Sequence, residues 1–281
     1  MKECMETDKK IQVLLSTYNG ARYLPEQLDS ITQQTIFNQV SVLIRDDGSS
    51  DTTADILHEY SERFGFEVIY GDRLGVTESM WELLRRSDNT SDYFAFCDQD
   101  DVWLPHKLEA ACKALDGRET NIPLLYASKS RIVDEALNYL GSSTGVRRGV
   151  SYYNAMVQNV TPGHTQVFNR PLRDILIEKG PDDGIHVIDW WLYLVASGIG
   201  KVIFNEEETV LHRQHGKNAV GFETTVIKKI LRRMRFVRSG KGNAISLQIK
   251  AFYRRYADLI PEEYRAETES YLSNLNSFFN R

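Results

Sequence analysis

The most informative stretch of this sequence reads Phe94-Ala95-Phe96-Cys97-Asp98-Gln99-Asp100-Asp101-Val102-Trp103. The apolar run Tyr93–Cys97 predicts a short buried strand, and three carboxylates follow it within four residues. If the backbone turns there, Asp98 and Asp100 can both reach one hard cation, because carboxylate oxygens suit Mg²⁺ or Mn²⁺. A structural alternative is that one aspartate caps a helix containing Lys107–Leu115. The stretch alone leaves both interpretations open.

The composition is that of an ordinary globular protein, with 281 residues of which 42% are hydrophobic and 26% charged. The formal net charge of −5 disfavours nucleic acid as a partner. The 3 cysteines have the spacing of neither a disulfide framework nor a metal site. No apolar run approaches the roughly 20 residues of a membrane span, and the N-terminus is polar. These features predict a soluble, cytoplasmic protein.

Strand and helix patterns alternate four times over residues 11–115. Apolar runs at residues 11–16, 40–45, 68–70 and 93–97 predict buried strands, and a helical spacing of apolar residues follows each run. Such alternation predicts an α/β fold with a mostly parallel sheet and helices on both faces.

Polar turns follow three of these four strands, at residues 17–20, 46–51 and 98–101. Ligands of such sheets bind beyond the carboxyl ends of the strands, so a nucleotide lying across this edge would meet all three turns. The first turn lacks G-x-G-x-x-G, and the chain has no G-x-x-x-x-G-K-[ST]. A dinucleotide dehydrogenase and a P-loop NTPase are therefore disfavoured.

The pattern is less regular beyond residue 122, where short strands are predicted at residues 124–127, 130–133, 166–168, 201–204 and 209–211. Residues 141–149 form a predicted Gly/Ser/Arg-rich loop, and a helix is predicted to open at Asp189 and to end at Gly198. From about residue 223 the chain is predicted to be helical. Basic residues flank an apolar face at residues 227–238, and this helix either packs on the sheet domain or contacts an anionic membrane surface.

Four segments together resemble the family 2 glycosyltransferases, whose fold is GT-A, a Rossmann-like sheet flanked by helices. They are residues 14–20, 46–52, 98–103 and the helix start at Asp189. The acidic segment with Trp103 and Lys107, and the late run His212-Arg213-Gln214-His215-Gly216-Lys217-Asn218, are most similar to bacterial rhamnosyltransferase-type members. The resemblance covers about residues 10–221. It implies a GT-A domain at residues 1–221 and a C-terminal helical appendage at residues 222–281.

The resemblance implies transfer of a sugar from a nucleotide sugar to an acceptor hydroxyl, with inversion and with Mn²⁺ or Mg²⁺ as cofactor. The residue types suit this chemistry, because a divalent ion stabilises charge on the leaving diphosphate and a carboxylate accepts the proton of the hydroxyl. By position, nucleotide binding is assigned to Thr17, Tyr18, Asn19, Asp46, Asp47, Asp98 and Gln99, metal binding to Asp98, Asp100 and Asp101, and catalytic base to Asp189.

His212 and His215 lie three residues apart after a predicted strand, and they would suit metal coordination or a clamp on the diphosphate. His164 is predicted to lie in the acceptor region. Trp103 and Trp190 are predicted to stack on sugar faces, whereas Trp191, among apolar residues, is predicted to lie in the core.

Two features depart from the family pattern. The turn after the third strand reads Asp72-Arg73-Leu74-Gly75 and has no asparagine, so Arg73 is a candidate phosphate contact. A single carboxylate, Asp189, stands at the base position, and Asp182 and Asp183 are rival candidates upstream.

The sequence therefore predicts an inverting glycosyltransferase that uses a UDP- or dTDP-sugar of rhamnose, glucose or galactose type in surface-polysaccharide or glycan assembly. The acceptor would be a saccharide, a lipid-linked glycan or a glycoprotein. The chain would work in the cytoplasm or at the inner face of the membrane, and homo-oligomerisation is left open. Two alternatives remain: a non-catalytic nucleotide-sugar-binding subunit, and a nucleotidyltransferase, which residues 16–20 disfavour because they contain no basic residue.

Overall fold

The computed structural model describes residues 9–119, 121–146, 149–215 and 241–279. The basic helix predicted at residues 227–238 and the predicted domain boundary at residue 221 lie outside these ranges.

Within the described residues, nine strands form one mixed sheet. In chain order they are β1 (Ile11–Thr17), β2 (Val40–Asp46), β3 (Glu67–Tyr70), β4 (Tyr93–Cys97), β5 (Val102–Trp103), β6 (Leu124–Val133), β7 (Tyr139–Ser142), β8 (Val167–Asn169) and β9 (Lys201–Arg213). The order across the sheet is β3-β2-β1-β4-β8-β6-β9-β5, with β7 paired to β6. The first four strands are parallel as predicted, and the sheet becomes mixed where β8 runs antiparallel to both β4 and β6.

Nine helices are described, and most pack on one of the two faces of the sheet. They are α1 (Leu24–Thr32), α2 (Thr53–Phe64), α3 (Val76–Arg86), α4 (Lys107–Leu115), α5 (Tyr152–Val157), α6 (Arg170–Lys179), α7 (Ile188–Ile199), α8 (Lys241–Tyr256) and α9 (Glu262–Phe279). Side chains of β4 alternate between the two cores, so that Phe94 and Phe96 face the core of α3 and α7, whereas Ala95 faces the core of α1, α2 and α4. The predicted arrangement of helices on both faces is therefore confirmed.

Several predicted boundaries change because of tertiary contacts. The strands predicted at 124–127 and 130–133 are one strand, β6, and those at 201–204 and 209–211 are one strand, β9; their pairing is irregular near Ser128. The helix predicted to end at Gly198 continues to Ile199. Gly198 therefore lies inside the helix and does not end it. A Cβ at this position would come 2.7 Å from the Phe252 ring, so the glycine allows α8 to pack closely against α7.

The C-terminal helices extend the core beside α7. Trp191 of α7 makes edge contacts with Phe252 and Tyr256 of α8, with ring centroids 6.3 and 5.9 Å apart. Asp182, ahead of α7, pairs with Arg254 and Arg255. Within the described ranges, none of the helices combines the length and apolar character that crossing a bilayer requires.

Candidate active site

A cleft of about 580 Å³ opens at the carboxyl ends of β1 and β4. The turn after β1 forms one wall, and the turn after β4 forms the floor together with His215, which lies two residues beyond β9. The lining residues are Tyr18, Asn19, Gly20, Arg22, Tyr23, Arg73, Gln99, Asp100, Glu135 and His215. The predicted position of the ligand site, at the edge where parallel strands end, is thus where the structure has its cleft.

Gln99 fixes the shape of the first wall. Its Oε1 accepts hydrogen bonds from the Thr17 hydroxyl at 2.7 Å and from the Tyr18 N–H at 2.8 Å. Gly20 lies close beside it, and a Cβ at that position would lie 2.5 Å from Gln99 Oε1 and would displace this side chain. Of the residues predicted to bind nucleotide, Tyr18, Asn19 and Gln99 therefore line the cleft, whereas Thr17 is buried behind it.

Tyr18 and Arg73 form a platform at one end of the cleft. The Arg73 guanidinium lies 4.1 Å from the centre of the Tyr18 ring, and its Nη1 donates to the Tyr18 hydroxyl at 3.1 Å. Arg73 belongs to the turn that departs from the family pattern. The platform offers a cation and a hydroxyl to a bound ligand.

Asp46 and Asp47 are buried and have protein partners. Asp46 Oδ1 accepts from the Ser49 N–H and hydroxyl. Asp47 accepts from the N–H groups of Leu74 and Gly75 at 2.7 and 2.8 Å, and it pairs with Arg45. Both carboxylates therefore organise the turns after β2 and β3. Their predicted contact with the nucleotide stays a prediction.

The acidic turn does not cap the following helix. Strand β5 follows Asp101 directly, and the N-cap of α4 is His106, which makes no side-chain cap hydrogen bond. The structural alternative for these aspartates is therefore wrong. The three carboxylates instead diverge, with Asp98 44% exposed at its side chain, Asp100 in the cleft and Asp101 fully buried.

Asp100 and His215 meet in the floor of the cleft. His215 Nε2 donates to Asp100 Oδ2 at 2.7 Å. The Tyr23 ring stacks on His215 with centroids 5.1 Å apart. Tyr23 was not among the predicted site residues, although its place four residues after Asn19, at the start of α1, is a usable signal.

Beneath the floor, Asp101, His164 and His212 form a buried cluster. His212 Nδ1 donates to Asp101 Oδ1 at 3.0 Å, and the rings of His164 and His212 lie parallel with centroids 4.4 Å apart. His164 Nδ1 lies 3.8 Å from carboxylate oxygens of both Asp98 and Asp101. The short turn before β8 packs beside β4 and β6, which brings His164 to the carboxylates. Its predicted place in the acceptor region stays a prediction.

The charges of this cluster shift its pKa values in the expected directions. Desolvation and the neighbouring carboxylates raise the pKa of Asp98. Burial lowers the pKa of His212, but the hydrogen bond and charge of Asp101 outweigh burial and raise it. Burial and the charge of His212 lower the pKa of His164. Asp101 thus favours the charged form of His212, whereas burial and the charge of His212 disfavour the charged form of His164.

The donor atoms present fit a divalent cation. Asp100 and His215 offer a carboxylate oxygen and an imidazole nitrogen in the cleft, and Asp101, His164 and His212 place one ligand atom each within 4.8 Å of one another. Asp101 Oδ2 is buried with no hydrogen-bond partner among the described residues. Imidazole nitrogens beside carboxylates suit Mn²⁺ better than Mg²⁺, which prefers oxygen ligands.

Asp189 lies at the start of α7 with its carboxylate held by two backbone N–H groups. Oδ2 accepts from Gly163 at 3.0 Å and Oδ1 from Trp190 at 2.6 Å. Burial raises the pKa of Asp189, and the Asp189 charge contributes to the raised pKa of Asp98, so the two carboxylates lie in one electrostatic environment. The rival Asp182 faces α8: burial would raise its pKa, but hydrogen bonds from Arg254 and others lower it to about 2.

The tryptophans are not arranged for sugar stacking. Trp103 is 2% exposed and Trp190 is 7% exposed, and the Trp190 Nε1 donates to the Ala155 carbonyl at 2.6 Å. The stacking prediction for these two residues is wrong because β5 pairs with β9 and α5 covers α7, which buries both rings. Trp191 is fully buried, as predicted.

Comparison with known proteins gives a consistent match. A family model described as "Glycosyl transferase family 2" matches residues 12–170. The chain is 26% identical over 224 residues to the dTDP-rhamnosyl transferase RfbG of Shigella flexneri, covering 74% of this chain and 73% of RfbG. It is also 25% identical over 212 residues to an uncharacterized protein of Mycobacterium tuberculosis. This alignment covers 73% of this chain and 59% of that relative.

Solved structures share the fold. TarS residues 1–349 of S. aureus in complex with UDP superimposes with a TM-score of 0.63 and 17% identity, covering 97% of this chain and 72% of that one. The mannosyltransferase PcManGT of Pyrobaculum calidifontis in complex with GDP-Man and Mn²⁺ gives a TM-score of 0.54 and 16% identity, covering 94% and 79%. These likenesses confirm the predicted GT-A fold, with its helical C-terminal segment.

Proposed function

Because the chain belongs to glycosyl transferase family 2, we propose that it transfers a sugar from a UDP- or dTDP-sugar to a saccharide hydroxyl with inversion. The observation that carries the proposal is the pairing of Asp100 with His215 in the floor of a cleft whose wall is formed by Tyr18 and Asn19. The likeness to a dTDP-rhamnosyl transferase and to a UDP-bound structure supports these two nucleotides. Family membership disfavours the nucleotidyltransferase alternative.

The nucleotide would occupy the Tyr18 end of the cleft. Tyr18 and Asn19 offer an aromatic face and an amide to the base and ribose, and Arg73 offers a cation. Gln99 holds this wall in place through Thr17 and Tyr18, so the wall is formed before a ligand arrives. Asp46 and Asp47 would contribute mainly by fixing the neighbouring turns.

Asp100 and His215 would hold Mn²⁺ or Mg²⁺, with Asp98 and the buried Asp101–His164–His212 cluster close behind them. A bound divalent ion stabilises the negative charge that develops on the leaving diphosphate. The protein contributes by placing an oxygen and a nitrogen ligand next to each other in the cleft. Mn²⁺ in the GDP-mannose complex of PcManGT supports a metal requirement.

Asp189 would accept the proton of the attacking hydroxyl. Its carboxylate is held by the N–H groups of Gly163 and Trp190, and burial raises its pKa, so the ionised form is a stronger base than an exposed aspartate. Asp182 is occupied by Arg254 and Arg255, which favours Asp189 over this rival.

The donor sugar would be of rhamnose, glucose or galactose type. The acceptor would be a saccharide, a lipid-linked glycan or a glycoprotein in surface-polysaccharide or glycan assembly, at the cytoplasmic side of a membrane. The likeness to RfbG favours rhamnose and surface polysaccharide among these.

The test is binding of UDP, dTDP, GDP and CMP by calorimetry, with and without Mn²⁺, to the full chain and to Asp100→Ala. We expect UDP or dTDP to bind with Mn²⁺ and the variant to lose the metal-dependent part. Asp258→Asn removes an exposed carboxylate, 69% accessible, and serves as the matched control. Absence of binding by any nucleotide under every condition would overturn the proposed function.

A further inference from the structure

Arg213, the last residue of β9, is 1% exposed although its guanidinium carries a permanent charge. Burying such a group is costly unless its donors find acceptors. The partners of Arg213 therefore reveal what the residue does.

Those partners come from three separate segments around the cleft. Nε donates to the carbonyl oxygen of Asp100 at 3.0 Å. One terminal nitrogen donates to the carbonyl oxygen of Glu135, between β6 and β7, and the other pairs with the carboxylate of Glu26 in α1. The Arg213 N–H also donates to Asp101 Oδ1 at 3.0 Å. One side chain thus ties the acidic turn, α1 and the β6–β7 turn together.

Tyr23 extends this connection to His215. The Arg213 guanidinium lies 4.8 Å from the centre of the Tyr23 ring, and the same ring stacks on His215 with centroids 5.1 Å apart. Arg213 therefore contacts the backbone of Asp100 directly and the ring of His215 through Tyr23. The same guanidinium therefore contacts one of the two residues that would hold the metal directly and the other through Tyr23.

We propose that Arg213 is a positioning residue that sets Asp100 and His215 opposite each other, and that it acts on the donor only through them. The inference rests on the proposed function in one respect, namely that Asp100 and His215 hold a metal ion. Its geometric content, that Arg213 orients His215 and Asp100, is independent of any ligand.

Lysine is the informative substitution at this position. An ammonium keeps the charge but is a point donor, so it cannot reach the Asp100, Glu135 and Glu26 acceptors together as the planar fork does. A merely electrostatic role would survive Arg213→Lys, whereas a positioning role would not.

Arg173 provides a matched control away from the cleft. It is also buried, at 7% exposure, and its guanidinium donates to the Ser87 hydroxyl at 2.8 Å, to the Ser87 carbonyl at 2.7 Å and to Asp174. It lies over the Phe94 ring at 5.6 Å. Arg173→Lys therefore removes a similar buried guanidinium group, and it reports how the loss of such a group affects stability in general.

The experiment compares wild type, Arg213→Lys and Arg173→Lys in the full chain. The imidazole ¹⁵N–¹H NMR spectrum, assigned with His215→Gln, reports the His215 environment without ligand. Mn²⁺ titrations of UDP and dTDP binding report the metal dependence. We expect Arg213→Lys to shift the His215 signals and to raise the half-saturating Mn²⁺ concentration by about 10-fold or more, the loss typical of an outer partner of a metal site. Arg173→Lys should change neither, even where its Tm falls.

Unchanged His215 signals in Arg213→Lys, or equal changes in Arg173→Lys, would overturn the positioning role. Wild type that binds no nucleotide would overturn the proposed function, while the ligand-free spectra would still decide the role of Arg213. The two failures are therefore distinguishable.

Discussion

His215 donates a hydrogen bond from Nε2 to Asp100 Oδ2 at 2.7 Å, although 115 positions separate the two residues in the chain. The contact joins the turn after β4 to the second residue beyond β9. It brings an imidazole and a carboxylate into one cleft next to the predicted nucleotide wall. Each expected effect on metal binding depends on this pair.

Asp100→Asn and His215→Gln should each raise the half-saturating Mn²⁺ concentration for UDP or dTDP binding by at least about tenfold, a loss seen even for outer partners of metal sites. The double variant should lose less than the sum of the two, because both residues would hold the same ion. Calorimetric titrations of the four proteins complete the cycle. Fully additive losses would show that the residues act at separate places.

Asp189→Asn should lower turnover by about 10²- to 10⁴-fold, the usual contribution of a general base, while nucleotide binding is retained. Burial raises the pKa of Asp189, and the base works only when ionised. Wild-type turnover should therefore be low at acidic pH, where Asp189 is protonated. It should rise with pH through a pKa that lies above the usual aspartate range. The variant should lack this limb.

The control for this prediction is Asp183→Asn, since Asp183 is the exposed rival six residues upstream. It should retain turnover and the acidic limb. Near-full transfer by Asp189→Asn, or a matching loss in Asp183→Asn, would move the base assignment away from Asp189.

The sequence predicted the parallel half of the sheet because each strand there is a local apolar run ended by a local polar turn. Tyr93–Cys97 could be recognised in this way, as could the carboxylates that follow it. The cleft could be placed too, because parallel strands end at one edge.

The rest of the site depends on pairing between distant segments. Strand β5 has only two residues, and it becomes a strand because Val102 and Trp103 pair with Leu211 and Val210. That pairing buries Trp103, which local sequence could not distinguish from a sugar-stacking residue. His164 reaches the carboxylates through the antiparallel insertion of β8, and no local pattern specifies that insertion.

Asp182→Asn should destabilise the attachment of α8 and change the acid dependence of stability. The side chain of Asp182 is 3% exposed and pairs with Arg254 and Arg255. Burial opposes ionisation, but hydrogen bonds from Arg254, Arg255 and the Gly184 N–H lower the pKa of Asp182 to about 2, below its value of about 3.9 in an unfolded chain. The ionised group therefore adds stability above about pH 4, and this contribution is lost as the pH falls toward 2.

Urea unfolding of wild type and Asp182→Asn between pH 7 and pH 2.5 measures this contribution. The wild-type advantage should be largest near neutral pH and should shrink on acidification. Asp258→Asn, at an exposed position, should show no comparable trend. A difference that stays constant across the range would mean that Asp182 is not held by its arginines.

Lys107→Met should change the dependence of stability on pH between neutral and alkaline conditions. Lys107 is fully buried with its Nζ 4.1 Å from the centre of the Trp103 ring, and Nζ has no hydrogen-bond partner among the described residues. Desolvation lowers the pKa of Lys107 to about 7, although the charges of Cys97 and Asp101 oppose the shift. Between about pH 7 and pH 10, the unfolded lysine therefore holds a proton that the folded lysine has released.

Wild-type stability gains from rising pH over this interval, and Lys107→Met lacks that gain. The free energy of unfolding of the variant minus that of wild type should therefore be largest below pH 7 and should decrease up to about pH 10. Tyrosine titrations are common to both proteins and cancel in the difference. Lys113→Met on the same helix removes a lysine that is 63% exposed and provides the control. If the difference in free energy of unfolding does not depend on pH, Lys107 stays charged in the folded protein and its pKa is not lowered by burial.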